Sequence, residues 1–203
     1  MVTAGLEFFR PTKVMRELFV LLSLDEAQQV SQHGLARKVG VSSSMANNYI
    51  KTLVGQGLVL ASGDTNRTMR YAVTAKGNER VAELMSMYSR EIARLYSIAK
   101  REVEKRLRQL HAEGMKNVVL FGAAETGELA YVAAKATPIH IVGWVDNDTT
   151  KHQLRFGEIR VASPSLIETF HPDAILIASS GKADEIRHQL DGFPQRGIAV
   201  VTL

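Results

Sequence analysis

Val41-Ser-Ser-Ser-Met-Ala-Asn-Asn-Tyr-Ile-Lys-Thr-Leu-Val-Gly-Gln-Gly-Leu-Val59 decides the reading of the N-terminal half. Ser42 is a favourable N-cap, because its hydroxyl accepts a backbone N–H left unpaired in a first helical turn. Ala46, Ile50, Leu53 and Val54 then recur at helical spacing and predict a packing face. Ser43, Ser44, Asn47, Asn48 and Lys51 predict the solvated face opposite. Towards the N-terminus, Gln32–Val39 reads as a short helix capped by Ser31 and stopped by Gly40. Pro11 suits a first helical position, and Val14, Leu18, Leu21 and Leu22 make a stripe ending near Ser23. Phe8 and Phe9 are expected to pack on that helix; residues 25–29 are polar, and Val30 reads as a very short strand. Towards the C-terminus, residues 58–61 and 69–73 read as strands joined by the polar turn Ser62-Gly-Asp-Thr-Asn-Arg-Thr68.

Helix, short helix, helix and hairpin is the order of a winged helix-turn-helix. The residues resemble that family in Leu35-Ala36, Gly40-Val41-Ser42, Asn47-Asn48-Tyr49-Ile50, Leu53, Gly57-Leu58-Val59 and Arg70-Tyr-Ala-Val-Thr-Ala-Lys-Gly77. The resemblance covers residues 31–77 and implies a transcriptional regulator that binds double-stranded DNA. Ser43, Ser44, Asn47 and Asn48 would then face base edges in the major groove, where an asparagine amide pairs with adenine. Lys51 and the wing residues Arg67 and Arg70 would neutralise phosphates or enter the minor groove. Asn48 stands where many relatives have arginine, which predicts modest phosphate affinity.

After the hairpin, apolar residues recur at Val81, Met85, Tyr88, Ile92, Leu95/Tyr96, Ala99, Val103, Leu107 and Leu110. The mean spacing is about 3.6 residues, the period of one face of a straight α-helix. Thr74 suits its cap and Gly114 lies just past its end. A helix of that length, roughly 55 Å, cannot bury its whole stripe on one small domain. It is expected to link two modules and to supply the surface of a homodimer; a helix packed wholly within its own chain is the alternative.

The composition changes at Met115. Asn117-Val-Val-Leu-Phe121 is a buried-strand run, followed by Gly122-Ala-Ala-Glu-Thr-Gly127 and a helical stretch to Ala136. Further strands are expected at 139–145, 159–161, 174–178 and 198–202, with a helix opened by Ser163-Pro164 and another over 182–190. Alternating strands and helices imply a parallel sheet covered on both faces. The pattern resembles the Rossmann-type domain of nucleotide-sugar epimerase/dehydratases, sugar acetyltransferases and redox-sensing repressors. The residues that carry it are 118–122, Glu125, Gly127, 143–146, Gly157, Val161 and 174–178.

Gly122 permits a tight turn and Gly127 a close approach of helix to sheet, while amides at that helix start suit a phosphate. The middle glycine of G-x-G-x-x-G is Ala124, which places a methyl where a pyrophosphate would approach. Asp146, at the end of the next strand, has the spacing of a ribose-binding carboxylate; a plain Asx turn in Asp-Asn-Asp is the alternative. The expected ligand set is Gly122, Ala123, Glu125, Thr126, Gly127, Asp146, Asn147, Ser179, Ser180 and Lys182. The ligand class is a nucleotide, a nucleotide-sugar or an NAD-like molecule.

Enzyme motifs are sparse. Tyr131-Val-Ala-Ala-Lys135 has the Tyr-x-x-x-Lys spacing of short-chain dehydrogenases, but it follows the glycine loop directly and should not reach a substrate. The six histidines show no metal-ligand spacing, and no nucleophile elbow or Gly-Lys-Ser/Thr phosphate loop occurs. The chain has 203 residues, 45% of them hydrophobic, and no cysteine, which excludes disulfides and thiolate metal sites and fits a reducing cytoplasm. No apolar run has the length of a membrane span, and no basic-then-apolar leader opens the chain. Residues 1–113 carry 17 Lys and Arg against 11 Asp and Glu, and residues 114–203 carry 8 against 10. A basic N-terminal half is what a polyanion-binding module needs.

The expectation is therefore three parts: an α+β winged helix-turn-helix over 1–77, a long helix over 78–113, and an α/β Rossmann-like domain over 114–203. The leading function is a cytoplasmic DNA-binding regulator that senses a nucleotide-containing metabolite. A small nucleotide-sugar enzyme with the winged helix as assembly module is one alternative, and a regulator with a ligand-free Rossmann scaffold is another.

Overall fold

The computed structural model describes residues 11–26, 32–63, 68–179 and 181–203. The readings made of Phe8, Phe9, Val30, Ser31, Arg67 and Ser180 lie outside the described residues. The chain divides into two compact units, Met1–Ala93 and Arg94–Leu203.

The first unit opens with helices α1 (Lys13–Glu26), α2 (Gln32–Val39) and α3 (Ser43–Gly55). Strands β1 (Val59–Ser62) and β2 (Arg70–Val73) follow and pair antiparallel, Val59 opposite Val73. Helix α4 (Ala75–Ala112) begins in this unit. Its core is Leu18 and Leu21 of α1, Leu35 of α2, Leu53 of α3 and Leu84 of α4, all under 3% exposed. Two expectations are corrected at α1. The helix starts after Thr12, whose hydroxyl accepts the Met15 N–H at 3.2 Å, so threonine and not Pro11 sets the start. It also runs past Ser23 to Glu26, because Leu24 extends the buried stripe by one turn. Val54 is exposed at the rim of α3 and lies off its packing face.

The α3–α4 junction is built from short contacts. Thr74 Oγ1 donates to the Gly57 carbonyl at 2.8 Å and accepts the Gly77 N–H at 3.0 Å. Lys76 Nζ donates to the Gln56 carbonyl at 2.9 Å. A Cβ on Gly77 would sit 2.2 Å from the Leu58 carbonyl oxygen, so the Thr-Ala-Lys-Gly sequence is what lets α4 start against β1.

The apolar stripe of α4 divides into three parts. Val81 and Tyr88 pack in the first core, but the buried residue there is Leu84, and Met85 is exposed. Leu107 and Leu110 are fully buried in the second unit, with Val103 packed beside them. Residues 89–99 between are all exposed, including Ile92, Leu95, Tyr96 and Ile98 at 42–47%.

The second unit is built on a six-stranded sheet of β3 (Asn117–Phe121), β4 (His140–Val145), β5 (Arg155–Phe156), β6 (Ile159–Ala162), β7 (Ala174–Ile177) and β8 (Ala199–Thr202). The spatial order is β5-β6-β4-β3-β7-β8. All neighbouring pairs are parallel except β5–β6, so the sheet is mixed, not wholly parallel as expected. The cause is local. Gly157, at φ +64°, turns the chain straight back after two residues and forms a hairpin at the edge.

Alternation along β3 sends Val118 and Leu120 to one face and Val119 and Phe121 to the other, and each face has a core. Helix α5 (Glu125–Ala134), Leu107 and Leu110 cover the first face; Ile167, and Ile186 of α6 (Ala183–Gln189), cover the second. The helix expected after Ser163-Pro164 is a 3-10 turn, Pro164–Phe170, ended by His171 at φ +47°. Phe170 lies flat on Gly143, where any Cβ would come within 2.6 Å of the ring. A further 3-10 turn, Thr149–Gln153, is capped by Asp148 and has no counterpart in the sequence reading.

Candidate functional site

In the first unit the candidate site is the outer face of α3. Gly40, at φ +73°, stops α2, and the Val41 N–H closes the turn on the Ala36 carbonyl at 2.9 Å. Ser42 caps α3, its hydroxyl accepting the Met45 N–H at 3.2 Å. Ala46, Ile50 and Leu53 are buried beneath the helix, while Ser43, Ser44, Asn48 and Lys51 are exposed and Asn47 is half-buried. Arg70 is exposed at the start of β2, opposite Ser62. Gly63, at φ +124°, lets the hairpin close, since a Cβ there would meet the Thr68 carbonyl oxygen at 2.5 Å. The structure thus brings Ser44, Asn48 and Lys51 onto one exposed face, while Ser43, exposed in the first turn, lies about 140° round the helix from Asn48 and off that face.

In the second unit the glycine loop closes the carboxyl ends of β3, β4 and β7. Gly122 adopts φ +113°, and a Cβ there would lie 2.7 Å from the Ala178 carbonyl oxygen. The Gly122 carbonyl accepts the Trp144 indole N–H at 2.9 Å. Trp144 is fully buried and stacks on Phe156 at 4.1 Å between ring centroids. Helix α5 begins behind the loop without a side-chain cap at Ala124, and Glu125 is exposed in its first turn while Thr126 is half-buried.

Asp146 does work that sequence reasoning missed. It is 8% exposed, and its Oδ2 accepts the Ala123 N–H at 2.6 Å and lies 3.1 Å from Lys151 Nζ. Its Oδ1 accepts the Asp148 N–H at 2.8 Å. Both oxygens therefore bind within the protein: the Asx turn of the alternative reading is present, and a clamp on the glycine loop accompanies it. Burial works to raise its pKa, but the Ala123 and Asp148 amides and Lys151 outweigh burial and hold the carboxyl below the usual aspartate value. Its contribution to stability is complete above the ordinary aspartate pKa and is lost as pH falls through the depressed one. Asp146→Asn is expected to lower stability at neutral pH by about 1.5–3 kcal/mol and to flatten the acid limb. Thermal denaturation followed by circular dichroism from neutral to acidic pH measures both; an unchanged acid limb would remove Asp146 as its source.

The remaining expected ligand residues are dispersed. Asn147 exchanges two hydrogen bonds with Gln189, at 2.9 and 3.2 Å. Ser179 is half-buried at the end of β7, and Lys182 is exposed ahead of α6. Lys151, next to the loop, was absent from the expected set; its only sequence signal is its position five residues after Asp146. Lys135 Nζ lies 4.6 Å from the centre of the Tyr131 ring, and both residues line an open groove of about 540 Å³ with Gly157 and Ile159. A second groove of about 610 Å³ lies beside Phe170 and Leu166. Neither groove is lined by the glycine loop or Asp146. Among the described residues no group of acidic or histidine side chains is arranged to hold a metal ion, and no helix is long and apolar enough to cross a membrane.

Residues 14–66 match the MarR family, and residues 114–195 match the family described as C2185-like, N-terminal. The first unit therefore carries a MarR-family winged-helix regulator domain. In the second unit, the match is to a C2185-like domain in place of the nucleotide-sugar enzyme, acetyltransferase or redox-repressor domains that its residues resemble. No curated protein sequence matches the chain. Similar solved structures include UDP-D-quinovosamine 4-dehydrogenase from Vibrio fischeri, 20% identical, covering 43% of this chain and 77% of that one, with a TM-score of 0.38. A Mycobacterium tuberculosis MarR family protein in complex with p-aminosalicylic acid is 24% identical, covering 47% of this chain and 77% of that one, with a TM-score of 0.34. MepR, a transcription regulator of the Staphylococcus aureus multidrug efflux pump MepA, is 17% identical, covering 48% of this chain and 77% of that one, with a TM-score of 0.36.

Proposed function

We propose that this chain is a DNA-binding transcriptional regulator, with α3 as its recognition helix. The observation that carries the reading is the MarR-family match over residues 14–66, on a helix whose outer face is uncharged apart from Lys51. Ser43, Ser44, Asn47 and Asn48 form the set from which base contacts come; Lys51 and the wing arginines Arg67 and Arg70 hold phosphates. The chain works as a homodimer through the exposed middle of α4, which sets two half-sites apart on the duplex. In the three-part division, 1–77 binds DNA, 78–113 pairs, and 114–203 senses.

The sensing reading rests on the glycine loop at the carboxyl edge of the sheet, where open α/β sheets bind ligands. The expected occupant is a nucleotide, a nucleotide-sugar or an NAD-like molecule over Gly122, Ala123, Glu125, Thr126 and Gly127, with contacts from Ser179 and Lys182, and from Ser180, which lies outside the described residues. For Asp146 to hold a ribose, the carboxylate must release the Ala123 amide or Lys151, which predicts weaker affinity than an open carboxylate gives. Calorimetry against NAD(H), coenzyme A and UDP-sugars tests it, and no heat from any of them in folded protein would leave the unit as a scaffold.

For DNA, selection from genomic fragments at low salt is expected to enrich duplexes with two half-sites. Lys51→Ala and Arg70→Ala are expected to weaken all sequences alike and to lower the salt slope by about one each. No enriched duplex, and no binding even at low salt, would overturn the regulator reading.

A further inference from the structure

We infer that Asn48, and not Asn47, is the residue of α3 that reads a base, and that the base is adenine. The inference rests on the DNA-binding reading above and assigns the specificity of that same helix.

On sequence alone both asparagines fall on the polar side of the helix, and Asn47 is the one expected to make the bidentate base contact. The direction of burial separates them. At about 100° per residue, the mean direction of Ala46, Ile50 and Leu53 fixes the inward side, and Asn48 lies within about 15° of the opposite pole. Ser44 lies about 30° from that pole, Lys51 about 50°, and Asn47 nearly 90°, on the flank. Exposure agrees: Ser44, Asn48 and Lys51 are exposed and Asn47 is half-buried. Asn47 also makes an interaction inside the protein. Asn48 is differently placed. Its backbone carbonyl takes the Thr52 hydroxyl at 2.9 Å, while its side-chain amide has no hydrogen-bond partner among the described residues.

A helix seated in the major groove presents its outward pole to the base edges and its flanks to the two backbones. The residue at the pole is thus a carboxamide, which carries one acceptor and one donor group side by side. Adenine alone shows the matching donor and acceptor, N6 and N7, on one base edge; guanine shows two acceptors, and a pyrimidine offers a single polar group. Ser44, one turn earlier, bonds to any base and adds little discrimination. The pole of α3 therefore carries no charge, so base choice and salt dependence belong to different residues. Asn48 sets the first, while Lys51, towards one flank, contributes to the second.

The test uses the full chain. Wild type, Asn48→Ala and Asn47→Ala are put through selection from a randomised duplex library at low salt, and dissociation constants are then measured on the enriched site and on single-base variants. Because Asn48 is exposed, circular dichroism of Asn48→Ala should match wild type, and Asn48→Ser provides a second small variant if it does not. We expect Asn48→Ala to lose an adenine preference of about 5- to 100-fold at one position in each half-site, with an unchanged salt slope. Asn47→Ala should keep that preference. Loss of the preference in Asn47→Ala but not in Asn48→Ala, or an enriched site in which Asn48→Ala alters no adenine, overturns the assignment while leaving DNA binding intact. A wild type that binds no duplex overturns the regulator reading itself.

Discussion

Gly127→Ala is expected to unfold the second unit or leave it barely stable, although alanine is the better helix former. Gly127 lies inside α5, where the exchange ordinarily stabilises by up to about 1 kcal/mol. Here the added Cβ would stand 2.1 Å from the Gly122 carbonyl oxygen and 2.7 Å from Trp144 Cζ2. Neither neighbour can retreat. The Gly122 carbonyl is fixed by the indole N–H at 2.9 Å, and Gly122 itself is wedged against the Ala178 carbonyl. Trp144 is held between that bond and the ring of Phe156. Overpacking of this kind costs about 1–3 kcal/mol where side chains yield and more where backbone must move, a large part of a total near 5–15. Hydrogen exchange of the full chain is the measurement. Amides of β3, β4 and β7 should lose protection, while those of α1, α2 and α3, in the other unit, should keep it. Unchanged protection in the sheet would show that α5 can move off β3, contrary to the packing described.

The second large effect concerns α4. Ile92→Glu combined with Leu95→Glu is expected to convert a dimer to monomers in light scattering and to weaken operator binding by about a hundredfold or more, as two linked half-site contacts become one. Met85, Met87, Ile92, Leu95, Tyr96 and Ile98 are each at least 38% exposed on one helix, an apolar density that single-chain surfaces seldom leave uncovered. The pair is chosen because both side chains are outside the two cores, so the charges should spare the fold. Val103 would not serve, since it packs with Leu107 and Leu110 in the second unit. A wild type that is already monomeric at micromolar concentration would sink the dimer.

What the sequence disclosed depended on whether the deciding interaction was local. The start of α3 was legible because Ser42 and the three residues after it settle it among themselves. Gly122 and Gly127 were legible as a tight turn and a close approach, and both glycines occupy such positions. The sequence offers Asp146 as a ribose-binding carboxylate or an Asx turn, and the turn is present. Its clamp on Ala123 is not legible because the two are 23 residues apart and only the register of β3 on β4 brings them together. Gly143 gave no sign that it faces Phe170, which arrives from a later turn of chain. Leu84 was passed over for Met85 because both fit the period of α4, and the choice falls to the direction from which α1 packs. The candidate DNA residues were legible as a set, but their ranking needed the inward direction of α3.

Trp144 has an optical consequence. It is the chain's one tryptophan, so all indole emission comes from a ring whose N–H is bonded to the carbonyl of the glycine loop. A molecule settling on that loop would disturb this bond or the Phe156 stack and change the wavelength or yield of the emission, with no label attached. Reduced nicotinamide absorbs where indole emits, so a bound dinucleotide of that kind would quench it, and a UDP-sugar would not quench it by that route. Emission spectroscopy on the unmodified chain can therefore sort candidate ligands by chemical class as well as detect them.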